Sequence, residues 1–427
     1  MVLNNLLISK KIIETLIISL PITLLFSNVL AELVILLLVI IYFSKEKFLN
    51  ILKTLKNPII TALLFFWIYL ILNSFFNIQN KPNFERAIFF LRFPMFVIAI
   101  NYFFNNVKVD QDKIFKYWMI IFFIICLDLM YQSITHQNIF GFKAVLQGNV
   151  YRLGGFMDDE LKISNLIYHF GTLIFAYNLF KKKPLSKINN LTNYSFFFLL
   201  ITSIYLTAER ANFITILIFT VLFLNFLCFN NFRSFIKILS ALSLIFLLLI
   251  SMNKDLNKRM IGSTINAVQK INILKNNSNK NFLNKDSHYF AHYSAAYQIF
   301  QRNVFLGVGL KNFRNFCDDD TLNEKIYPSW QDRKCATHPH NFHFEILSEL
   351  GIIGFIFLNF FFIYVFYKFW DLSFKSKNNY LLVSSFILIA NFIPFLPKGS
   401  FFSNWNAMIF WLVFSIIYSQ FSKLQKQ

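Results

Sequence analysis

Three imidazoles and two carboxylates crowd one short stretch of this 427-residue chain: His338, His340 and His343, then Glu345 and Glu349, just ahead of Gly351 and Gly354. Imidazole titrates near neutrality, so a histidine beside a hydroxyl can take its proton as the oxygen attacks. A histidine that caps or packs against the following helix is the competing structural reading, with Asn341 as the cap. Arg152, Arg210, Arg302 and Arg314 supply the complementary chemistry. A guanidinium offers paired donors and does not deprotonate, which suits it to hold an anionic group without a metal.

The elements that must position these groups follow from composition. With 56% hydrophobic residues, 19% aromatic residues and 58 Phe, the sequence is unlike that of an ordinary soluble domain. Apolar runs long enough to cross a bilayer as helices recur near 11–29, 31–44, 57–76, 87–104, 115–134, 161–180, 194–209, 211–229, 234–252, 351–369, 380–397 and 404–421. The expected fold is an all-α polytopic membrane protein of about twelve spans. Alternating strands of barrel type are missing from the pattern. Lysines and arginines recur at alternate span ends, beginning with Lys10 and Lys11 and closing with Lys423 and Lys426, which predicts both termini in the cytoplasm. The formal charge of +20 then reflects topology and anionic headgroups, and nucleic-acid binding is a poor reading of it. The first apolar run lacks a small-residue cleavage site and reads as an uncleaved anchor. Inside the spans, Arg92 and Asp128 are candidates for an intramembrane pair.

The expected layout is spans one to five over 1–134, a first outer loop over 135–160, spans six to nine over 161–252, a large outer loop over 253–340 and the last three spans over 341–427. Long loops in compact proteins tend to be functional. The large one opens with an Asn- and Lys-rich stretch from Asn253 to Asn284, read as helix and linker, and continues from Ser287 to Phe300 with apolar residues at helical spacing. On that helix His288 and His292 lie four residues apart, a spacing open to a metal but read in preference as lining a cleft. Cys317 and Cys335 share the loop and are candidates for a disulfide on an oxidising face, two free thiols being the alternative. Nothing has the close spacing of a zinc site, and no metal or other cofactor is expected.

His340-Asn341, then nine residues, then Gly351-Ile-Ile-Gly354 resembles the histidine signature of the O-antigen ligase and O-antigen polymerase superfamily. Three further stretches agree in order: Tyr151-Arg152-Leu-Gly154-Gly155 leading to Glu160, Leu206-Thr-Ala-Glu209-Arg210, and Gly307-Val-Gly309-Leu-Lys-Asn312-Phe313. The motifs cover roughly 150–360. The resemblance implies a helical membrane enzyme of GT-C-like architecture in the bacterial inner membrane, with a large, mainly helical periplasmic loop and an active site facing the periplasm. It implies metal-independent, inverting transfer of a glycan from undecaprenyl diphosphate. His340 occupies the position of the proposed general base. Arg210 and Arg152, with Arg302 or Arg314, would hold the diphosphate, while His338, Asn341, Glu160, His288 and His292 would line the acceptor cleft. Relatives commonly carry an Arg on the helix before the Gly-Val-Gly turn, where this chain has His288 and His292.

The full histidine match favours a ligase, whose acceptor is lipid A-core; a polymerase, whose acceptor is a second lipid-linked repeat, shares the chemistry. A lipid-linked sugar transporter is the rival from another class, yet the chain shows no internal repeat of interrupted spans. Each residue also has a plainer reading. Glu209 and Arg210 would form an ion pair, Arg152 would snorkel to headgroups, and Glu160 with Asp158 would orient that arginine.

Overall fold

The computed structural model describes residues 10–47, 50, 54–77, 84–181, 187–252, 254–262, 288–325, 334–394 and 396–427. The chain is mostly helical. Among the described residues, eight helices are long and apolar enough to cross a membrane: Asn28–Lys45, Pro58–Phe76, Phe84–Asn105, Gln111–Thr135, Arg210–Asn230, Phe232–Leu249, Phe342–Ser376 and Asn404–Gln425. Shorter apolar helices include Leu191–Leu206 and Asn379–Asn391. The sheet content among the described residues is one antiparallel hairpin, Val145–Gln147 with Val150–Arg152. The chain folds into two compact units, each assembled from separate stretches of sequence.

The first unit is Met1–Ala31, Lys108–Asn279 and Ser373–Asn391. Its long helix Gln111–Thr135 begins where Asp110 accepts the Lys113 N–H at 3.0 Å and ends at His136 in the left-handed region, φ 59°. Buried Glu14, from helix Lys10–Phe26, ties down the same start through Asp110 N at 3.0 Å and Lys113 Nζ at 2.9 Å. Aromatic rings fill the space between helices, with Phe115 stacked on Tyr177 at 3.9 Å and Phe175 on Phe197 at 4.4 Å. The helix leading to Phe180 passes through a π-helical turn at Ile167–Gly171. There the ring of buried His169 lies between Asn165 O, 2.8 Å from Nδ1, and Asn391 Nδ2, 2.6 Å from Nε2. Such turns often mark sites under a special constraint, and this one seats a polar pair in an apolar core.

The second unit is Glu32–Val107, Lys280–Leu372 and Phe392–Gln427. Asn57 caps the Pro58–Phe76 helix through the Ile59 N–H at 3.1 Å, and Pro58 occupies the first turn, where its missing N–H costs nothing. Helices Arg92–Asn105 and Asn404–Gln425 pack along their length, with Phe93 stacked on Trp411 at 6.2 Å. Outside the spans, helix His288–Arg302 buries Ala291, Ala295, Ala296 and Ile299 against Val308, Phe313, Cys317 and Leu322. The sulfurs of Cys317 and Cys335 are joined, with Cα atoms 5.1 Å apart.

Several expectations change. The apolar run 380–397 is helical only to Asn391, because Pro394 and Pro397 remove backbone donors beyond that point. Helix Phe342–Ser376 begins nine residues before the expected span and is broken at Gly351, φ 65° and ψ −169°. Arg92 pairs with Glu32 at 3.2 Å and Asp128 accepts the Ile139 N–H at 3.0 Å, so each finds its partner within its own unit. The first outer loop carries the hairpin. Most of the Asn- and Lys-rich stretch, 263–284, lies outside the described residues, as does the side chain of His288.

Candidate functional site

In the second unit, His340 is held in the left-handed region at φ 54°, where a residue with a Cβ carries strain. Two contacts hold it there. Its carbonyl accepts the Lys398 N–H at 2.7 Å, and Asn341 Nδ2 donates to Leu396 O at 3.1 Å. Asn341 Oδ1 meanwhile accepts the His343 and Phe344 N–H groups at 2.9 and 3.2 Å, capping the next helix. The irregular segment after Pro394 thus supports the His340 turn.

Two imidazoles meet the His340 ring. His338 lies 4.2 Å away between centroids and His292 5.3 Å away, with Tyr289 at 5.7 Å. Burial, followed by the neighbouring His338 and His292, drives the His340 pKa down to about 3. His338 is likewise pushed down to about 3, chiefly by burial, then by the charges of Lys311, His292 and Arg314. Both rings are therefore neutral at physiological pH, with a lone pair available for a proton. His292 Nδ1 lies 3.2 Å from Lys334 O, and His338 Nδ1 lies 3.0 Å from Thr337 Oγ1. His343 is turned away from this group, its Nε2 on Phe392 O at 3.0 Å. Among the described residues no group of three His, Cys, Asp or Glu is placed to hold a metal ion.

A buried ionic network lies on the same helix. Glu345, fully buried, accepts the Phe401 N–H at 2.7 Å and the Ser400 hydroxyl, and Lys311 Nζ lies 3.5 Å from its Oε1. Fully buried Glu349 accepts the Lys311 and Phe313 N–H groups at 2.7 and 3.3 Å. Burying a charge is costly unless it is paired and hydrogen-bonded: Glu345 has Lys311 beside it as well as its hydrogen bonds, and Glu349 is held by two backbone N–H groups. Lys398, in the supporting segment, is pushed down to about 7 by burial.

These bonds explain the glycine motifs. The Gly307–Gly309 turn lies against the break at Gly351, with Val308 N on Ser348 O and Gly309 N on Glu349 O, each at 2.9 Å. A Cβ at Gly307 would stand 2.7 Å from Gly351 N, and one at Gly351 would stand 2.3 Å from Phe305 O. Tyr69 closes the junction with a 2.5 Å bond from its hydroxyl to Leu350 O.

The first unit carries its own cationic site. Arg152, at the end of the hairpin, pairs with Glu209 and sends Nη1 to Gln147 Oε1 at 3.1 Å. Glu209 opens helix Arg210–Asn230 after a turn in which Ala208 has φ 59°. The carboxylate that orients Arg152 is therefore Glu209; Glu160 pairs with Lys162 at 2.7 Å instead, half exposed. Glu209 likewise points to Arg152 and not to its neighbour Arg210. Arg259, which no motif singled out, joins this group through Gln147 and Ala208 O.

Of the sequence candidates in the second unit, His292, His338, His340 and Asn341 come together, with Arg314 close enough to act on His338. Arg302 does not join them: it pairs with Asp319 at 2.8 Å on the surface. The link of Glu345 and Glu349 to Lys311 and Ser400 was not visible in the sequence, because these partners lie 34 to 89 residues apart, beyond any local pattern. Residues 195–359 match the family model described as O-Antigen ligase, a stretch that holds Glu209, Arg210, the Gly307–Gly309 turn and the His340 motif through Gly354. No curated protein matches the chain.

Proposed function

Taking that family match as the premise, we propose that this protein is a multi-pass enzyme of the bacterial inner membrane, built on about twelve spans in a GT-C-like arrangement. It transfers a glycan from undecaprenyl diphosphate to lipid A-core at the periplasmic face. The observation that carries the reading is the neutral, half-enclosed imidazole of His340, flanked by two more histidines inside a matched motif.

In this scheme His340 takes the proton from the acceptor hydroxyl as its oxygen bonds to the anomeric carbon. The bond from that carbon to the phosphate oxygen breaks on the opposite side, with inversion, and its electron pair leaves on the diphosphate. Arg210 and Arg152 hold the charge that grows there. Arg302 is not carried into this scheme, since it lies outside the histidine group and pairs with Asp319 at the surface. His338, His292 and Asn341 would line the acceptor cleft. The chemistry asks for no cofactor or metal.

The test is transfer by purified protein in liposomes containing EDTA, with lipid A-core and a second lipid-linked repeat as competing acceptors. Product on lipid A-core that disappears with His340→Ala supports the ligase. Elongated lipid-linked chains would assign a polymerase, and sugar-lipid flipping retained by the variant would overturn the enzyme reading in favour of a transporter.

A further inference from the structure

Three elements of the first unit converge beside Arg210. They are the hairpin Val145–Arg152, the turn Thr207–Glu209 and the π-helical turn Lys258–Gly262. From the π-helical turn, Arg259 Nε donates to Ala208 O at 3.1 Å, and its Nη2 donates to Gln147 Oε1 at 3.2 Å. From the hairpin, Arg152 Nη1 reaches the same Gln147 oxygen at 3.1 Å, while its Nη2 pairs with Glu209. Two guanidiniums on separate elements thus aim N–H groups at one oxygen atom.

We propose that Arg259 is a diphosphate ligand, closing with Arg152 on a phosphate oxygen at the point held by Gln147 Oε1. The inference rests on the donor reading above and adds a third arginine to it. Two observations support it. The amide oxygen of Gln147 is a neutral acceptor, and a phosphate oxygen in its place sets negative charge opposite both guanidinium donors. Gln147 is exposed at the tip of a three-residue strand, beside the Gly148–Asn149 turn, so its side chain can swing aside at little cost.

Arg259 is also preset. The Ala208 carbonyl and Gln147 Oε1 together fix the Arg259 guanidinium, so little rotamer freedom remains to be lost on binding.

The measurement is the affinity of the full-length protein in detergent for undecaprenyl diphosphate, with the melting temperature of each variant alongside. Arg259→Gln should weaken binding roughly ten- to hundred-fold, with Arg259→Lys between it and the wild type. Gln147→Ala, which removes the resting occupant, should tighten binding. Wild-type affinity in Arg259→Gln, with loss in Arg152→Gln, would overturn the assignment of Arg259 and leave the donor reading standing. If Arg259→Gln does not fold, Gln147→Ala decides: unchanged or weaker binding overturns the proposal. Wild-type protein that binds no undecaprenyl diphosphate sinks both readings.

Discussion

Gly307 and Gly351 meet backbone to backbone, each with positive φ, so that a Cβ on the first would stand 2.5 Å from the Glu349 carbonyl carbon and 2.7 Å from Gly351 N. The contact joins the turn after helix His288–Arg302 to the break in helix Phe342–Ser376. It fixes the subdomain to the span that follows His340.

Gly351→Ala should therefore destabilise the protein by at least ~2 kcal/mol, since left-handed backbone and a clash with main-chain atoms combine. Gly354→Ala, where the nearest atom is the Leu350 side chain, should cost less. Melting temperatures in one detergent compare the two. Equal losses would mean that the junction relaxes freely.

Acid should loosen the histidine group. His338 and His340 have pKa values near 3 when folded, against about 6.5 in an unfolded chain, so between those values the unfolded state binds more protons. Stability should fall with pH through that window, by up to ~1.4 kcal/mol per pH unit for each imidazole. The contribution is complete above pH 6.5. The doubly substituted His338→Gln, His340→Gln protein should show a shallower decline, and parallel curves for the two proteins would mean that these imidazoles titrate normally.

The buried pair of Lys311 and Glu345 should respond asymmetrically. Lys311→Met leaves a carboxylate in an apolar site and should cost roughly 3–5 kcal/mol, whereas Lys311→Met combined with Glu345→Gln should recover part of the loss. Denaturation midpoints of the single and double variants form the cycle. Additive losses would show that the two side chains do not depend on each other.

Reduction of Cys317–Cys335 should destabilise the subdomain by ~3 kcal/mol, the expected worth of a link closing a short loop. The spans should be spared. Hydrogen exchange with and without reductant should show faster exchange in helix His288–Arg302, and no change there would place the stability of the subdomain in its alanine-faced core alone.

The helices were legible in the sequence because a long apolar run has few other ways to satisfy its backbone, and because starts such as Asp110 and Asn57-Pro58 are written locally. The helix ending at Asn391 was overextended, since Ile393, Phe395 and Leu396 continue the apolar pattern past the proline that ends it. The His340 and Asn341 motif was visible as a spacing. Its support was not, because Lys398, Ser400 and Phe401 lie in the short connection between the runs 380–397 and 404–421, more than fifty residues from His340. Arg259 escaped for a related reason: one arginine at a span end resembles topology, and only the fold brings it to Gln147, 112 residues away.

The bonds from Lys398 N to His340 O and from Asn341 to Leu396 O give the histidine motif a boundary that its own letters do not show. The matched stretch stops at residue 359, yet the segment that keeps His340 in its left-handed turn begins more than thirty residues later. A graft of residues 195–359 onto another set of spans would carry the whole motif from His340 to Gly354 and lose the segment that holds His340. For exchange of parts between related chains, the transferable piece would have to run through Phe401.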